Sequence, residues 1–123
     1  KLMQLYLNDG EYGGERFFEP GTVSLFTNVK STNGNRRAYG FDKPNTNGSS
    51  PAGEMASPES FGHTGFTGTM VWADPQNGLV YIFLSNRVHP DAENTKLSNL
   101  NYRTRIHDVF YRAIQSANKP INQ

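Results

Sequence analysis

Two stretches near the C-terminal end of the chain carry its strongest hydrophobic patterns. Residues 79–85 (Leu-Val-Tyr-Ile-Phe-Leu-Ser) form an unbroken run of strand-forming residues, which predicts a strand covered on both faces. Residues 100–117 repeat apolar positions at helical spacing, which predicts a helix that packs one stripe against the core. The positions of this stripe are Tyr102, Ile106, Val109, Phe110, Ala113, Ile114 and Ala117.

Between the polar and apolar parts of the chain lies a stretch of mixed character, residues 60–75. It starts with small and polar residues, including Gly62, Gly65 and Gly68, becomes apolar at residues 70–72, and stops at Asp74-Pro75. This pattern predicts a strand that begins at the rim of a site and runs back into the core. Glycine lacks a Cβ, so another backbone or a ligand can approach closely. A glycine-weakened edge strand without chemistry would give the same pattern.

The N-terminal third predicts short elements. Residues 2–7 read as the last turns of a helix that ends at Asn8-Asp9-Gly10, and residues 11–18 as a turn with a short extended pair. Glu19-Pro20 predicts the start of a second helix, with Val23, Leu25 and Phe26 buried. Residues 37–41 alternate as a strand, with Tyr39 and Phe41 on one face, and residues 42–58 predict a long surface loop.

These elements predict an α+β fold in which a small antiparallel sheet carries the C-terminal helix on one face. We treat residues 1–123 as one unit, with residues 1–29 ending a helical region and residues 30–123 forming the sheet, the 42–58 loop and the last helix. The first four residues read as the inside of a helix without a cap, which predicts that the chain is a piece of a longer protein.

The amino-acid composition excludes several classes of function. The absence of cysteine excludes a disulfide framework and a thiol nucleophile, and a net charge of +1 gives no field to recruit nucleic acid or a membrane surface. No run is long and apolar enough to span a bilayer. His63, His89 and His107 lack metal-ligand spacing, so we expect neither a metal nor another cofactor. Trp72 is expected in the core.

Residues 61–69 (Phe-Gly-His-Thr-Gly-Phe-Thr-Gly-Thr) resemble the third conserved motif of the serine β-lactamase and penicillin-binding-protein superfamily. The resemblance is strongest to its class-C-like and esterase-like branch, where Lys-Thr-Gly or His-Thr-Gly lies on an edge strand. Other segments match in the same order, namely residues 7–14, Tyr39-Gly40-Phe41, the Asp74-Pro75 turn and the exit at residues 86–90. The resemblance implies a partial β-lactamase/transpeptidase-like fold over almost the whole chain.

The same resemblance implies roles for four residues. The backbone N–H of Phe66 would stabilise the oxyanion, and the Thr64 hydroxyl would bind a substrate carboxylate or carbonyl. His63 stands where the family often has lysine, and it supplies positive charge only when protonated. Gly65 would keep the strand open to the acyl group. His63 as a simple surface residue remains an alternative, and we expect Asn86 and Arg87 to hold a loop rather than contact substrate.

The nucleophile motif of the family, Ser-x-x-Lys, and its second motif, Tyr-x-Asn, are expected upstream of Lys1. Residues 116–119 and 6–8 match these patterns formally, but we reject both because their order and position are wrong. The resemblance therefore implies the C-terminal part of a serine hydrolase of β-lactamase, D-Ala-D-Ala carboxypeptidase or esterase type. Alone it should be inactive. Its partners would be the upstream part of the same protein and a small-molecule, peptide or ester substrate.

Two other interpretations remain open. The fold could serve as a non-catalytic binding or assembly module, or the chain could be a degenerate copy of the enzyme. Because strands from upstream would be missing, we also predict an unpaired sheet edge through which two copies dimerise. By family analogy the parent protein would be bacterial and periplasmic or otherwise extracytoplasmic.

Overall fold

The computed structural model describes residues 1–28, 36–45 and 50–118. It has the predicted α+β architecture, with two small antiparallel sheets and four helices in the described residues. The elements in chain order are α1 (Leu2–Leu7), β1 (Glu11–Tyr12), β2 (Glu15–Arg16), α2 (Thr22–Thr27), β3 (Phe61–Thr64), β4 (Met70–Asp74), β5 (Leu79–Phe83), α3 (Lys96–Asn99) and α4 (Tyr102–Ala117). The predicted boundary at residues 29–30 lies outside the described residues.

The N-terminal elements follow the predicted order. Helix α1 ends before Asn8, and Gly10 adopts a φ of 91°, which a residue with a Cβ rarely reaches. Strands β1 and β2 form the short extended pair. Helix α2 begins after Gly21 and not at Pro20. It buries Val23 and Thr27, which are four residues apart on one face, so the prediction that Leu25 and Phe26 are buried is wrong.

The 60–75 stretch forms a hairpin and not one continuous strand. Strand β3 ends at Thr64, residues 65–69 turn the chain, and β4 begins at Met70. The Gly65 N–H donates to the Thr69 carbonyl oxygen at 2.8 Å, and the Gly68 N–H donates to the Gly65 carbonyl oxygen at 3.0 Å. Gly68 has a φ of 93°, so a glycine makes this turn possible.

The main sheet has the order β3-β4-β5, with all pairs antiparallel. One face of the sheet carries Trp72 and Tyr81 and is covered by α4, where the His107 ring stacks on the Tyr81 ring at a centroid distance of 4.2 Å. The opposite face carries Phe61 and Ala73, which pack with Met3 of α1. The C-terminal helix therefore covers one face as predicted, and Trp72 is fully buried.

Strand β5 is less covered than its continuous apolar run predicts. Tyr81 is buried, but Ile82 is 61% exposed and Leu84, just after the strand, is 79% exposed. Helix α1 has only six residues and is too short to cover this part of the sheet. In the described part of the chain no strand pairs with the outer edge of β5. The prediction that both faces of this strand are covered is wrong.

Helix α4 presents a different face to the sheet from the one that its apolar stripe predicts. Its buried residues are His107, Asp108 and Tyr111. Most of the predicted stripe is exposed, including Tyr102, Ile106, Val109, Phe110, Ala113 and Ala117, with Ile114 half-buried. The polar side chains on the buried face hydrogen-bond to the chain that they cover, which offsets the cost of their burial.

Residues 37–41 do not form the predicted strand. Only isolated bridges join Arg37 to Asp42 and Asp42 to Gly62 of β3. Gly40 turns the chain with a φ of 78°, so Tyr39 is exposed while Phe41 packs edge-to-face on Phe61 at 5.1 Å between ring centroids. The described parts of the 42–58 loop are not wholly on the surface, since they bury Asp42, Lys43, Ala52, Gly53 and Ser57.

The buried carboxylate of Asp74 joins that loop to the sheet and to α4. Its oxygens accept hydrogen bonds from the Ser57 N–H at 2.9 Å and the Tyr111 hydroxyl at 2.7 Å. The Ser57 hydroxyl, the Gln76 N–H and the Asn77 side-chain amide donate to the same carboxylate. Burial alone would raise the pKa of Asp74, but these hydrogen bonds outweigh it and hold the pKa below the ordinary value. One carboxylate therefore fixes three separate segments.

Candidate active site

The end of β3 brings His63 and Thr64 to the rim of the sheet, on opposite faces. His63 lies opposite Val71 and is exposed, whereas Thr64 lies opposite Met70 and is half-buried. The His63 Nδ1 is 2.8 Å from the Thr64 carbonyl oxygen, and its Nε2 is 3.4 Å from Nη1 of Arg37. A carbonyl only accepts hydrogen bonds, so the contact with the Thr64 oxygen places a proton on Nδ1. Arg37 brings a positive charge to this rim, and its Nη1 also lies 3.2 Å from Oδ1 of Asp42.

The 65–69 turn holds the peptide group that carries the Phe66 N–H, the donor expected for an oxyanion. The carbonyl of that peptide group belongs to Gly65 and accepts the Gly68 N–H at 3.0 Å. The next three carbonyls of the turn also accept hydrogen bonds. Phe66 O accepts from Arg87 Nε at 3.0 Å, Thr67 O from the Arg87 N–H at 2.9 Å, and Gly68 O from Arg103 Nη1 at 3.4 Å. Within the described part of the chain, the Phe66 N–H has no hydrogen-bond acceptor. An unpaired donor at a fixed turn can bind a ligand oxygen.

Glycine at positions 62 and 65 serves the packing of the hairpin. A Cβ at Gly62 would collide with the backbone oxygen of Val71 and the ring of Trp72, and a Cβ at Gly65 would collide with the Thr69 hydroxyl. The structure thus gives a packing reason for Gly65. Its predicted role in admitting an acyl group stays a prediction.

A groove runs along the α4 side of the rim from Thr64. Its volume is about 280 Å³, and it is lined by Arg36, Arg103 and Thr64 together with Ser50, Pro51, Leu97, Ser98, Asn101 and Thr104. A second groove of about 620 Å³ shares Ser50, Asn101 and Thr104 with it, so the two grooves are adjacent. Arg36 already pairs with the buried Asp42 at 3.4 Å, and Arg103 Nη1 donates to Gly68 O. The other N–H groups of these arginines and the hydroxyls of the lining suit a ligand that carries a carboxylate.

Side chains of α4 hold the far wall of this groove. The His107 Nδ1 accepts the Gly53 N–H at 3.1 Å, and Asp108 Oδ1 accepts the Met55 N–H at 3.2 Å. Burial lowers the pKa of His107 to about 4, so the ring stays neutral and can accept this bond. The 50–58 wall is therefore fixed to the helix by side chains rather than by a strand ladder.

The residues that sequence reasoning set aside have structural roles. The Tyr6 ring packs against Phe41 at 5.1 Å between centroids, and the Ser116 hydroxyl donates to the Arg112 carbonyl oxygen on an exposed part of α4. Lys119 lies outside the described residues. Arg87 holds the loop after β5 as predicted, because its Nη1 donates to the carbonyl oxygens of Ala92 and Asn94 at 3.1 and 3.3 Å.

Sequence reasoning missed the arginines at the rim. Arg103 belongs to the face of α4 that we expected to be solvated, and Arg36 lies in a polar segment without a clear pattern. The fold brings Arg103 of α4, Arg36 of the segment before Asp42 and Thr64 of β3 to one groove. Among the described residues, no group of three or more acidic or histidine side chains could hold a metal ion. No described helix is long and apolar enough to cross a membrane.

Comparisons with known proteins agree with this fold. A solved β-lactamase from Mycobacterium bovis superimposes on 92% of the chain with a TM-score of 0.69 and 21% identity, and the chain covers 42% of that protein. This likeness defines the fold class as that of the β-lactamases. Residues 1–102 match the family described as Beta-lactamase. The chain therefore belongs to the β-lactamase family of serine hydrolases.

Among curated relatives, a Salmonella gallinarum protein named "Putative D-alanyl-D-alanine carboxypeptidase" is 37% identical over 98 residues. A protein of the same name from Salmonella newport is also 37% identical over 98 residues. The alignments cover 79% of the chain and 22% of each relative, so the chain spans about a fifth of their length.

Proposed function

We propose that this chain forms one wall of a serine acyl-transfer site, in which the rim of β3 binds the acyl group of a substrate with a free carboxylate. The nucleophilic serine and its lysine would come from the upstream part of the same protein. The substrate class that we favour is a short peptide with a D-alanyl-D-alanine-like end, or an ester or β-lactam of similar shape. The names of the Salmonella relatives support the peptide, since the chain resembles them at 37% identity.

The observation that carries this proposal is the unpaired Phe66 N–H at the 65–69 turn. Acyl transfer develops negative charge on the carbonyl oxygen, and a fixed backbone donor stabilises this charge without reorganisation. This N–H shares its peptide group with the Gly65 carbonyl, which accepts the Gly68 N–H at 3.0 Å. The three carbonyls that follow are held by Arg87 and Arg103, so the turn around this peptide group has little freedom to move. A second donor is needed for a complete oxyanion hole, and we assign it to the peptide of the serine itself.

The groove beside Thr64 gives the substrate carboxylate a place to bind. Arg36 and Arg103 line the groove, and the Thr64 hydroxyl would donate at its entrance. His63 stands where the family often has lysine, and Arg37 Nη1 lies 3.4 Å from its Nε2. Arginines supply the permanent positive charge of this rim, and two of them, Arg36 and Arg37, also pair with Asp42. By this account His63 orients the rim through its bond to the Thr64 carbonyl.

Two further parts of the proposal concern assembly and location. The outer edge of β5 and the exposed Ile82 and Leu84 would be covered by upstream parts of the protein, or by a second copy when those are missing. Enzymes that act on cell-wall peptides work outside the cytoplasm, so we expect an extracytoplasmic bacterial protein.

The proposal is tested by replacing Phe66 with proline and with alanine in the protein that includes its natural upstream sequence. Proline removes the backbone N–H, whereas alanine removes only the side chain and keeps the donor. We expect F66P to lower the rate of acylation by a fluorescent penicillin or a p-nitrophenyl ester by about 10²–10³-fold, which is the usual cost of losing one oxyanion donor. F66A should stay within about tenfold of the unmodified protein.

Equal rates for F66P and F66A, with both proteins folded, would contradict the assignment of the oxyanion donor to this amide. Circular dichroism and the unfolding midpoint of each variant provide the control for folding. Absence of any covalent adduct in the unmodified protein would favour the non-catalytic module instead.

A further inference from the structure

Arg87 makes more contacts with the 65–69 turn than loop-holding requires. Its Nε donates to the Phe66 carbonyl oxygen at 3.0 Å, and its own backbone N–H donates to the Thr67 carbonyl oxygen at 2.9 Å. The carbon at the centre of its guanidinium lies 5.0 Å from the centroid of the Phe66 ring. One residue therefore holds both the backbone and the side chain of Phe66.

The ring of Phe66 is exposed, so its contact with Arg87 is not a by-product of core packing. Phe66 is 76% exposed, and an exposed aromatic ring gains little from burial. A guanidinium over its face gives it a fixed position, and each such contact at an exposed site contributes about 0.5–1 kcal/mol.

The other end of the Arg87 side chain is anchored as well. Its Nη1 donates to the carbonyl oxygens of Ala92 and Asn94, in the loop between β5 and α3. The fork of the guanidinium thus links that loop to the turn, which a lysine could do only in part. Ser85 adds a hydrogen bond of 3.2 Å from its hydroxyl to Thr67 O.

The turn also packs closely against the chain that follows β5. A Cβ added at Gly68 would collide with the side chains of Leu97 and Ser85 and would contact Cγ of Arg87 at 3.5 Å. The chain after β5 therefore packs directly against the turn. Within the described residues, the backbone N–H groups of Phe66, Thr67 and Thr69 in this turn have no hydrogen-bond acceptor, and that of Phe66 is the one directly after His63-Thr64-Gly65.

We propose that Arg87 is a positioning residue for acyl transfer, which clamps the 65–69 turn so that the Phe66 N–H is held ready for the oxyanion of the substrate. This inference rests on the proposed function, since it assigns a purpose to the clamp in that reaction. Arg87 does not contact substrate in this account. It acts through the backbone of Phe66, and its loss should affect the transition state more than the binding of the ground state.

The test compares Arg87→Ala, Arg87→Lys and a matched control, Arg105→Ala, in the protein with its natural upstream sequence. Arg105 is an exposed arginine of α4 whose guanidinium lies 5.7 Å from the Tyr102 ring, so it makes a similar contact away from the turn. Steady-state hydrolysis of a p-nitrophenyl ester gives kcat and KM. Amide hydrogen exchange, read residue by residue, reports the order of the turn without any need for activity.

We expect R87A to lower kcat by about 10–100-fold with KM changed by less than about threefold. A donor that is displaced but still present should lose only part of the rate that its complete removal would cost. The R87K variant should recover only part of this loss, since an ammonium group can donate to Phe66 O and lie over the ring but cannot also hold the loop at Ala92 and Asn94. R105A should leave both constants unchanged. In R87A the amides of Gly65 and Gly68 should exchange at least about tenfold faster, while the amides between β4 and β5 stay protected.

Unchanged exchange at Gly65 and Gly68 in R87A would overturn the clamp, whatever the activity. Exchange that accelerates equally through the whole sheet would also overturn it, because Arg87 would then be a general stabilising residue. A rise in KM with constant kcat would mean substrate binding instead of positioning. If the unmodified protein forms no acyl adduct, the proposed function fails and the catalytic role of Arg87 fails with it. Faster exchange confined to the turn would then show that the clamp itself exists, which separates the two failures.

Discussion

Replacement of Asp74 by asparagine tests the polar core on which the site depends. Asp74 is fully buried, and its two oxygens accept five hydrogen bonds from four residues, namely Ser57, Gln76, Asn77 and Tyr111. Asparagine has the same shape but only one acceptor oxygen and no charge. The variant therefore removes hydrogen bonds without opening a cavity.

The size of the effect follows from which bonds can adapt. One oxygen accepts from the Ser57 hydroxyl and the Gln76 N–H, and the other from the Ser57 N–H, Asn77 and the Tyr111 hydroxyl. Hydroxyl groups can turn to accept from the new amide, but a backbone N–H cannot. Whichever way the amide lies, one backbone donor faces another donor. A buried donor without an acceptor costs about 1–3 kcal/mol, and the remaining hydrogen bonds to the uncharged amide are weaker. We therefore expect D74N to lower the free energy of unfolding by about 2–4 kcal/mol.

Urea unfolding followed by the fluorescence of Trp72, the single tryptophan of the chain, measures the free energy of unfolding. Asp91→Asn is the control, because Asp91 is exposed and an asparagine oxygen can still accept the Glu93 N–H. It should change stability by no more than about 0.5 kcal/mol. The stabilisation by Asp74 should be complete above about pH 4 and decline as the pH falls further, because its folded pKa is the lower one. A D74N effect no larger than that of D91N would refute this reasoning.

Two further predictions concern the groove wall and the hairpin. The pKa of His107 falls to about 4 on folding, so the unfolded state binds the proton first and stability should decline as the pH falls from about 6.5 to 4. His107→Gln should flatten this decline in a pH series of unfolding midpoints, and an unchanged decline would contradict it. Gly62→Ala should lower the free energy of unfolding by more than about 2 kcal/mol, because the new Cβ would collide with the Val71 backbone oxygen and the Trp72 ring. Gly40→Ala has open space and should cost only the strain of its positive φ, about 1 kcal/mol. Equal losses would contradict the packing argument.

Local signals in the sequence were enough to predict most elements of the fold. Helix α1, the pair β1–β2 and the C-terminal helix follow from residues that are close in sequence, such as Gly10 at the end of α1. The assignment to a β-lactamase-like protein followed from motifs in order. The 65–69 turn was missed because its Phe-Thr pair favours strands, and only the flanking glycines indicate a turn.

Burial was harder to predict, since it depends on partners far along the chain. Periodicity finds an apolar stripe on α4, but the face against the sheet is the one with His107 and Tyr111, which bond to Gly53 and Asp74. The arginines of the groove have no local signature either. Their position beside Thr64 is a consequence of topology. The predicted roles of His63, Thr64, Gly65 and Phe66 remain predictions for the same reason, because a site needs all of its parts together.

The central claim is that this chain supplies one wall of an acyl-transfer site whose serine lies upstream. The most direct measurement is to incubate the 123-residue chain, and the same chain with its natural upstream sequence, with a fluorescent penicillin and to map the adduct by mass spectrometry. The account predicts an adduct only in the longer chain, on a serine outside residues 1–123. An adduct on Ser116 or another serine of this chain would contradict it.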